Sequence, residues 1–229
     1  MTTIIGFVSQ KGGVGKSTLS RGLAREAAHN GLKVKIADLD TQQGTSVEWH
    51  RTRLNARIQP EVSAEAFATA KQALKIADQY DLLIIDGPAR FSSGTLEIAH
   101  VAHLLVQPTG ASLDDLRPAV REFHGLVNEG IPTEKLAFSI CRIGTQTEEA
   151  ETRAYLTDAG YVVLDGCIME RPAYRKPQNR GYAITETPFS SLNTQADLLI
   201  QALIDRIGGN DGQSVETQTS KQPRRAAAS

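Results

Sequence analysis

The sequence predicts an α/β fold: a single doubly wound domain in which helices flank a mostly parallel, twisted sheet. Three observations lead there. Short apolar runs alternate with helix-period segments along most of the chain. The first apolar run leads straight into the glycine-rich stretch "SQKGGVGKSTLS", Ser9 to Ser20. Finally, Asp40 follows one apolar run and Asp86 ends another, at what would be the carboxyl edge of the sheet, where open parallel sheets bind ligands.

The elements follow in order. Strands are predicted at Thr3 to Val8, Lys33 to Ala37, Asp81 to Ile85, His103 to Val106, Leu136 to Cys141 and Val162 to Ile168. The helix after the glycine loop carries Leu19, Leu23 and Ala27 on one face, and Asn30-Gly31 ends it, because both residues tolerate a left-handed cap. Further helices are expected at Ala64 to Ala77, Leu113 to Asn128, Glu148 to Ala159 and Phe189 to Ile207. The last of these places Phe189, Leu192, Ala196, Leu199 and Leu203 on one core-facing stripe. From Gly208 the composition turns polar, so the expected division is a domain over 1–207 and a flexible polar tail over 208–229.

Composition narrows the function classes. With 229 residues, 40% of them hydrophobic, the chain can close one sizeable core and is short for two. A net charge of -1 means that nucleic-acid binding would need a local basic patch. Cys141 and Cys167 sit in apolar runs and form no CxxC pair, which reads as two reduced, buried thiols. No apolar run has the length of a membrane span and the N-terminus lacks a secretory pattern, so a soluble, cytoplasmic protein is expected. His50 beside Trp49, and His100 with His103, lack metal-ligand spacing and read as structural.

The chemistry gathers at the glycine-rich stretch. Gly12, Gly13 and Gly15 let backbone N–H groups converge on phosphate oxygens, and the following helix adds the positive end of its dipole. Lys16 supplies a point charge, and the Ser17 hydroxyl is placed for Mg²⁺. Asp86 suits the outer shell of that metal. Asp38 could serve the metal shell or cap a strand; its residue type fits both. Two features depart from the general phosphate-loop pattern GxxxxGK[ST]: Gln10 stands where the first glycine belongs, and Lys11 adds a second lysine at the mouth of the loop.

Those departures resemble the deviant phosphate loop of the ParA/MinD family of ATPases, KGGxGK[ST]. "ADLDTQQG" is similar to that family's DxDPQ segment, with Thr41 where proline is usual, and "LLIIDGPA" resembles its Walker B strand. "RPAYRKPQNRGYAITE" resembles the family's late nucleotide-side loop, so the likeness spans residues 1 to 207. It implies ATP and Mg²⁺ as cofactors, held by Lys11, Gly12, Gly13, Val14, Gly15, Lys16, Ser17 and Thr18, with Arg142, Arg171 and Pro172 near the nucleotide. It implies that Ser17, Asp40 and Asp86 surround the metal, that Lys11, Lys16 and Asp40 act in hydrolysis, and that Lys11 crosses to the partner's ATP in a homodimer dependent on ATP.

Within the family, the tail from 208 has Val215 as its only large apolar residue, which argues against a membrane-binding amphipathic helix. The loop begins near Met1, leaving no room for a preceding DNA-reading domain. The chain therefore resembles the small, ParF-like plasmid-partition branch. That resemblance implies nucleoid association through non-specific DNA, with a small ParB/ParG-like centromere-binding protein as partner. Arg171, Arg175, Lys176 and Arg180 form the candidate DNA patch, although such a run can also be a solvated face. Two alternatives stay open: an ATPase that positions a protein complex without touching DNA, and a metabolic ligase or kinase with the same loop.

Overall fold

The computed structural model describes residues 1–88 and 93–219. One seven-stranded sheet runs through it, in the order β3-β2-β4-β1-β5-β6-β7. Its strands are β1 (Thr3–Phe7), β2 (Val34–Asp38), β3 (Ser63–Ala66), β4 (Leu82–Asp86), β5 (Leu104–Thr109), β6 (Leu136–Ile143) and β7 (Val162–Met169), and every neighbouring pair is parallel. The helices are α1 (Lys16–His29), α2 (Thr45–Asn55), α3 (Ala70–Leu74), α4 (Ser93–Val101), α5 (Leu113–Asn128), α6 (Gln146–Asp158), α7 (Pro172–Gln178) and α8 (Ser190–Thr219).

Alternation along the central strands feeds two cores, one on each side of the sheet. Ile5, Phe7, Ile84 and Val106 pack with Leu19 and Leu23 of α1 and with Leu199 and Leu203 of α8. Leu83, Ile85 and Leu105 pack on the other side with Ile98 of α4, Phe123 of α5 and Leu156 of α6. A strand buried on both faces reads as a continuous apolar run, which is why Leu82–Ile85 was so easily placed. An aromatic group closes the second core, with the Phe123 and Phe138 ring centroids 4.3 Å apart and Tyr161 edge-on to Phe138 at 5.6 Å.

The six predicted strands are present with ends shifted by at most a few residues, and α1, α5 and α6 lie where expected. Four differences have physical causes. The segment predicted as a helix over Ala64 to Ala77 begins instead as the edge strand β3, because its Ser-Ala-Glu-Ala pairs with Lys35 to Asp38; the helix there is the short α3. Helix α2 escaped the sequence reading because its buried positions are Ser46, Trp49 and Arg53, two of them polar. Helices α4 and α7 are short and were not anticipated. Helix α8 continues to Thr219 rather than ending at Ile207; residues 220–229 of the expected tail lie outside the described residues.

The chain order creates the site. From β1 it runs outward to β2 and β3, returns through β4, and crosses to β5 on the opposite side of β1. The winding thus changes direction at β1. The carboxyl ends of β1, β2 and β4 lie side by side at that point, with Phe7 opposite Asp86 and Asp86 opposite Asp38 in register.

Candidate functional site

The loop from Ser9 to Gly15 joins β1 to α1, and left-handed backbone shapes it. Gly13 has φ +74° and Gly15 has φ +120°, the latter as the residue that begins the helix, in a region that other residues rarely enter. A Cβ on Gly15 would also stand 3.2 Å from Cys141 Sγ. These glycines open the α1 N-terminus, whose first turn holds no acidic side chain and leaves its N–H groups and dipole free for an anion. Val14 is buried and anchors the loop rather than offering its side chain to a ligand.

Two recesses meet at the loop. The first, a cleft of about 240 Å³, is lined among others by Gly12, Lys16, Ser17, Arg21, Asp40 and Thr45. The second, about 220 Å³, has Cys141, Ile168, Met169, Tyr174 and Ile184 on its apolar side and Arg142, Glu170, Arg171 and Arg175 on its polar side. Gly13, Gly15 and Thr18 line both. A charged chain in the first cleft and a flat, largely apolar ring in the second is the layout a nucleotide requires.

The two lysines diverge. Lys16 is buried, and its Nζ donates to the Lys11 carbonyl at 3.3 Å across the loop. Burial lowers its pKa, opposed by the charges of Asp86, Asp40 and Glu122, which keep an ammonium worthwhile at this spot. Lys11 turns outward, and its Nζ meets Asp115 Oδ1 of α5 at 2.7 Å. Burial works against ionised Asp115, but bonds from Lys11 and Ser112 hold its carboxyl below the usual range.

The acidic residues divide their work. Asp38 is buried, and both of its oxygens serve the backbone: Oδ1 accepts the Asp40 N–H at 3.0 Å, and Oδ2 accepts the N–H groups of Ser46 at 2.9 Å and Val47 at 3.4 Å. It therefore caps the helix α2 from outside, a role that neither of its two readings from sequence named. Asp40 lines the first cleft, with Oδ1 accepting the Gln43 N–H at 3.1 Å. Asp86 is buried; Oδ2 accepts from the Ser46 hydroxyl at 2.7 Å, while among the described residues Oδ1 has no hydrogen-bond partner. Burial pushes its pKa up to about 6, against the hydroxyls of Ser46 and Ser17.

These residues fit Mg²⁺. It is a hard cation that takes one or two protein oxygens and draws the rest of its shell from phosphate and water. The unpartnered Asp86 Oδ1 and the Ser17 hydroxyl are donors of that kind, beside a cradle built for phosphate. Among the described residues there is no cluster of three or more His, Cys, Asp or Glu placed to hold a metal.

Arg142, with φ +59°, reaches back to the loop, Nη1 lying 3.5 Å from the Gly13 carbonyl while Nε donates to Glu170 at 2.9 Å. Arg175 also bonds Glu170. Arg171 caps α7 and Pro172 opens it, which suits a residue lacking an N–H. Arg171, Arg175, Lys176 and Arg180 are all exposed on this surface. Sequence reasoning missed Arg21, Thr45, Ser46 and Gln178. Thr45 Oγ1 lies 3.0 Å from Ser17 Oγ, and Gln178 accepts from the Thr18 hydroxyl at 3.3 Å. The hint of a Gly-Thr-Ser start to a helix was available, but the partners are distant in sequence.

A parallel sheet, a glycine cradle at a helix N-terminus and a carboxylate at the end of a neighbouring strand define a phosphate-loop nucleotide-binding protein. The chain belongs to the family described as the CobQ/CobB/MinD/ParA nucleotide binding domain, whose model matches residues 5–184. No curated protein matches the sequence significantly. Solved structures that share the fold include the septum site-determining protein MinD from Pyrococcus horikoshii complexed with Mg-ADP, at TM-score 0.71 and 19% identity over 91% of this chain and 98% of that one. Apo McdA from Cyanothece aligns at TM-score 0.69 and 16% identity over 89% of this chain and 100% of its own. A plasmid partition protein from Borrelia burgdorferi bound to AMPPNP aligns at TM-score 0.69 and 16% identity, covering 90% and 100%.

Proposed function

We propose that this chain is an Mg²⁺-dependent ATPase of the ParA type that pairs across ATP and partitions DNA cargo. The observation that carries the pairing is the divergence of the two loop lysines: Lys16 serves its own cleft, while Lys11 projects from the loop into a half-buried ion pair with Asp115. A lysine so placed is free to exchange Asp115 for the phosphates of a facing copy. Gly12, Gly13, Gly15, Lys16, Ser17 and Thr18 would hold the phosphates and Ser17 and Asp86 the metal, while Arg171, Pro172 and Arg142 border the nucleoside side. Bound Mg²⁺ would supply charge neutralisation on the phosphates. Asp40, on the loop before α2, is the residue placed to orient the attacking water. The remaining work is positioning, so a partner that orders Asp40 would accelerate a slow intrinsic reaction.

Light scattering on the purified chain with Mg²⁺ and a non-hydrolysable ATP analogue tests the pairing. Wild type should double in mass, while Lys11→Ala should bind the analogue yet stay monomeric. A variant that dimerises as well as wild type would refute the crossing lysine.

The DNA reading rests on the exposed cations at α7. Charge reversal at Lys176 and Arg180, which line neither nucleotide recess, should sharply weaken salt-sensitive binding of random-sequence duplex by the ATP form. The second reading, a positioning ATPase for a protein complex with no DNA contact, is favoured by one observation: Arg175 and Arg142 are both committed to Glu170, which thins the cationic patch. It predicts that reversal changes nothing the protein does in cells. No described helix is long and apolar enough to cross a membrane.

A further inference from the structure

We propose that Ser46 is a positioning residue that aims Asp86 at the metal, and that a half-buried arginine, Arg21, fixes the direction of the Ser46 proton. The inference rests on the nucleotide reading above and deepens it. Ser46 lies in the first turn of α2 and is fully buried. Its hydroxyl sits between two partners. Arg21 Nε lies 3.3 Å from Ser46 Oγ on one side, and Asp86 Oδ2 lies 2.7 Å from it on the other.

The chemistry of the partners removes any freedom. A guanidinium has donors only, so the Arg21 contact must occupy an oxygen lone pair of Ser46. The single hydroxyl proton is then directed to Asp86. That engages Oδ2 and leaves Oδ1 as the open acceptor of the carboxylate, buried and without a hydrogen-bond partner among the described residues. A carboxylate with one oxygen tethered and the other bare is oriented rather than merely present, which is what an outer-shell metal group needs.

The surroundings hold this arrangement from several sides. Asp38 grips the Ser46 N–H at 2.9 Å, so the backbone under the hydroxyl cannot drift. The neighbouring Thr45 hydroxyl is 3.0 Å from that of Ser17, so the first turn of α2 touches both groups assigned to the metal. Arg21 is kept in place by Trp49, its guanidinium 5.7 Å from the ring centroid, and Trp49 in turn donates to the Tyr182 carbonyl at 3.0 Å. Arg21 and Thr45 also line the first cleft, which puts the whole relay at its wall.

The test is the Mg²⁺ dependence of fluorescent mant-ADP binding, read separately from binding in EDTA. Ser46→Ala should raise the half-saturating Mg²⁺ concentration by roughly 10- to 100-fold, the usual effect of removing a group that orients a metal ligand, while leaving EDTA binding unchanged. Ser46→Thr keeps the hydroxyl and should restore the wild-type value. Arg21→Met, which retains the stem against Trp49, should shift the Mg²⁺ requirement in the same direction. It also carries the test if Ser46→Ala fails to fold. An unchanged Mg²⁺ requirement in the folded variants overturns the positioning role. Should wild type itself bind no mant-ADP under either condition, the nucleotide reading falls first.

Discussion

Arg53 and Glu186 form a buried ion pair, Nη1 2.6 Å from Oε2, that ties α2 to the segment after α7. The guanidinium also donates to the carbonyls of Gly181 and Pro60, each at 3.0 Å, and the carboxylate accepts the Ala183 N–H at 2.7 Å. Burial works against the charge on Glu186, yet Arg53, the Ala183 N–H and Arg25 together bring its pKa below the ordinary 4.5. Removing one partner strands the other, so Glu186→Ala should destabilise by about 3–5 kcal/mol in urea unfolding. The sign of the pH effect follows from the depressed folded value. This contribution is complete above about 4.5 and fades as pH falls through the lower folded pKa, so wild type and Glu186→Ala should converge in acid. Equal stability at neutral pH would remove the pair from the account.

Gly15 carries the most restrictive backbone of the loop, and Gly15→Ala combines strain at φ +120° with a Cβ 3.2 Å from Cys141 Sγ. Strain of about 1–3 kcal/mol that bends the loop away from its phosphate-facing shape corresponds to roughly 5- to 150-fold weaker nucleotide binding. Gly31→Ala is the control, since Gly31 also has positive φ, +84°, but nothing lies within 4 Å of its added Cβ. Calorimetric titration with Mg·ATP should separate the two. Affinity lost equally in both variants would mean that general destabilisation, not loop shape, is being measured.

How much of this was legible beforehand depends on whether the signal was local. The glycines, Lys11, Lys16 and Ser17 are contiguous and carry their chemistry in their spacing, and Asp86 ends an apolar run too uniform to be anything but a buried strand. Asp38 was ambiguous because only the fold shows its oxygens spent on the α2 backbone. Ser46 and Arg21 were invisible for a different reason. Each looks like an ordinary polar residue until a 25-residue separation closes to 3.3 Å. Edge strand β3 was lost to its alanines, which favour helix until pairing with β2 overrides that preference.

Glu122 of α5 is a buried carboxylate beneath the loop. Its Oε2 accepts from Gln107 Nε2 at 2.7 Å and from the Gln10 N–H at 3.3 Å, and its Oε1 has no partner. Burial pushes its pKa up to about 7, against the Gln10 N–H, the Lys16 charge and Gln107. Because the folded value lies above the ordinary 4.5, the folded state holds the proton longer, and stability falls as pH rises from about 4.5 to about 7. Glu122→Gln mimics the protonated form and should be more stable than wild type above that window, by at most about 3 kcal/mol, and equal to it below. Urea midpoints from about pH 4 to about pH 8 give the difference curve. A difference that stays flat with pH would exclude Glu122 as the titrating group.

Asp40 and Asp38 lie two residues apart, yet they should respond to substitution in opposite ways. Asp38 holds the α2 backbone through Oδ2 and the Asp40 N–H through Oδ1, so Asp38→Ala leaves these N–H groups without acceptors, each costing about 1–3 kcal/mol, and should lower the melting temperature clearly. Asp40 accepts the local Gln43 N–H at 3.1 Å and faces the cleft, so Asp40→Ala should leave stability nearly unchanged. If Asp40 orients the attacking water, its loss should slow single-turnover phosphate release by roughly 10²- to 10⁴-fold while Mg·ATP still binds. On the proposed pairing across ATP, the dimer would then persist, because the step proposed to dissolve it is blocked. Phosphate release within about threefold of wild type, a difference below 1 kcal/mol in barrier, would assign the water to another group and leave Asp40 as a turn residue.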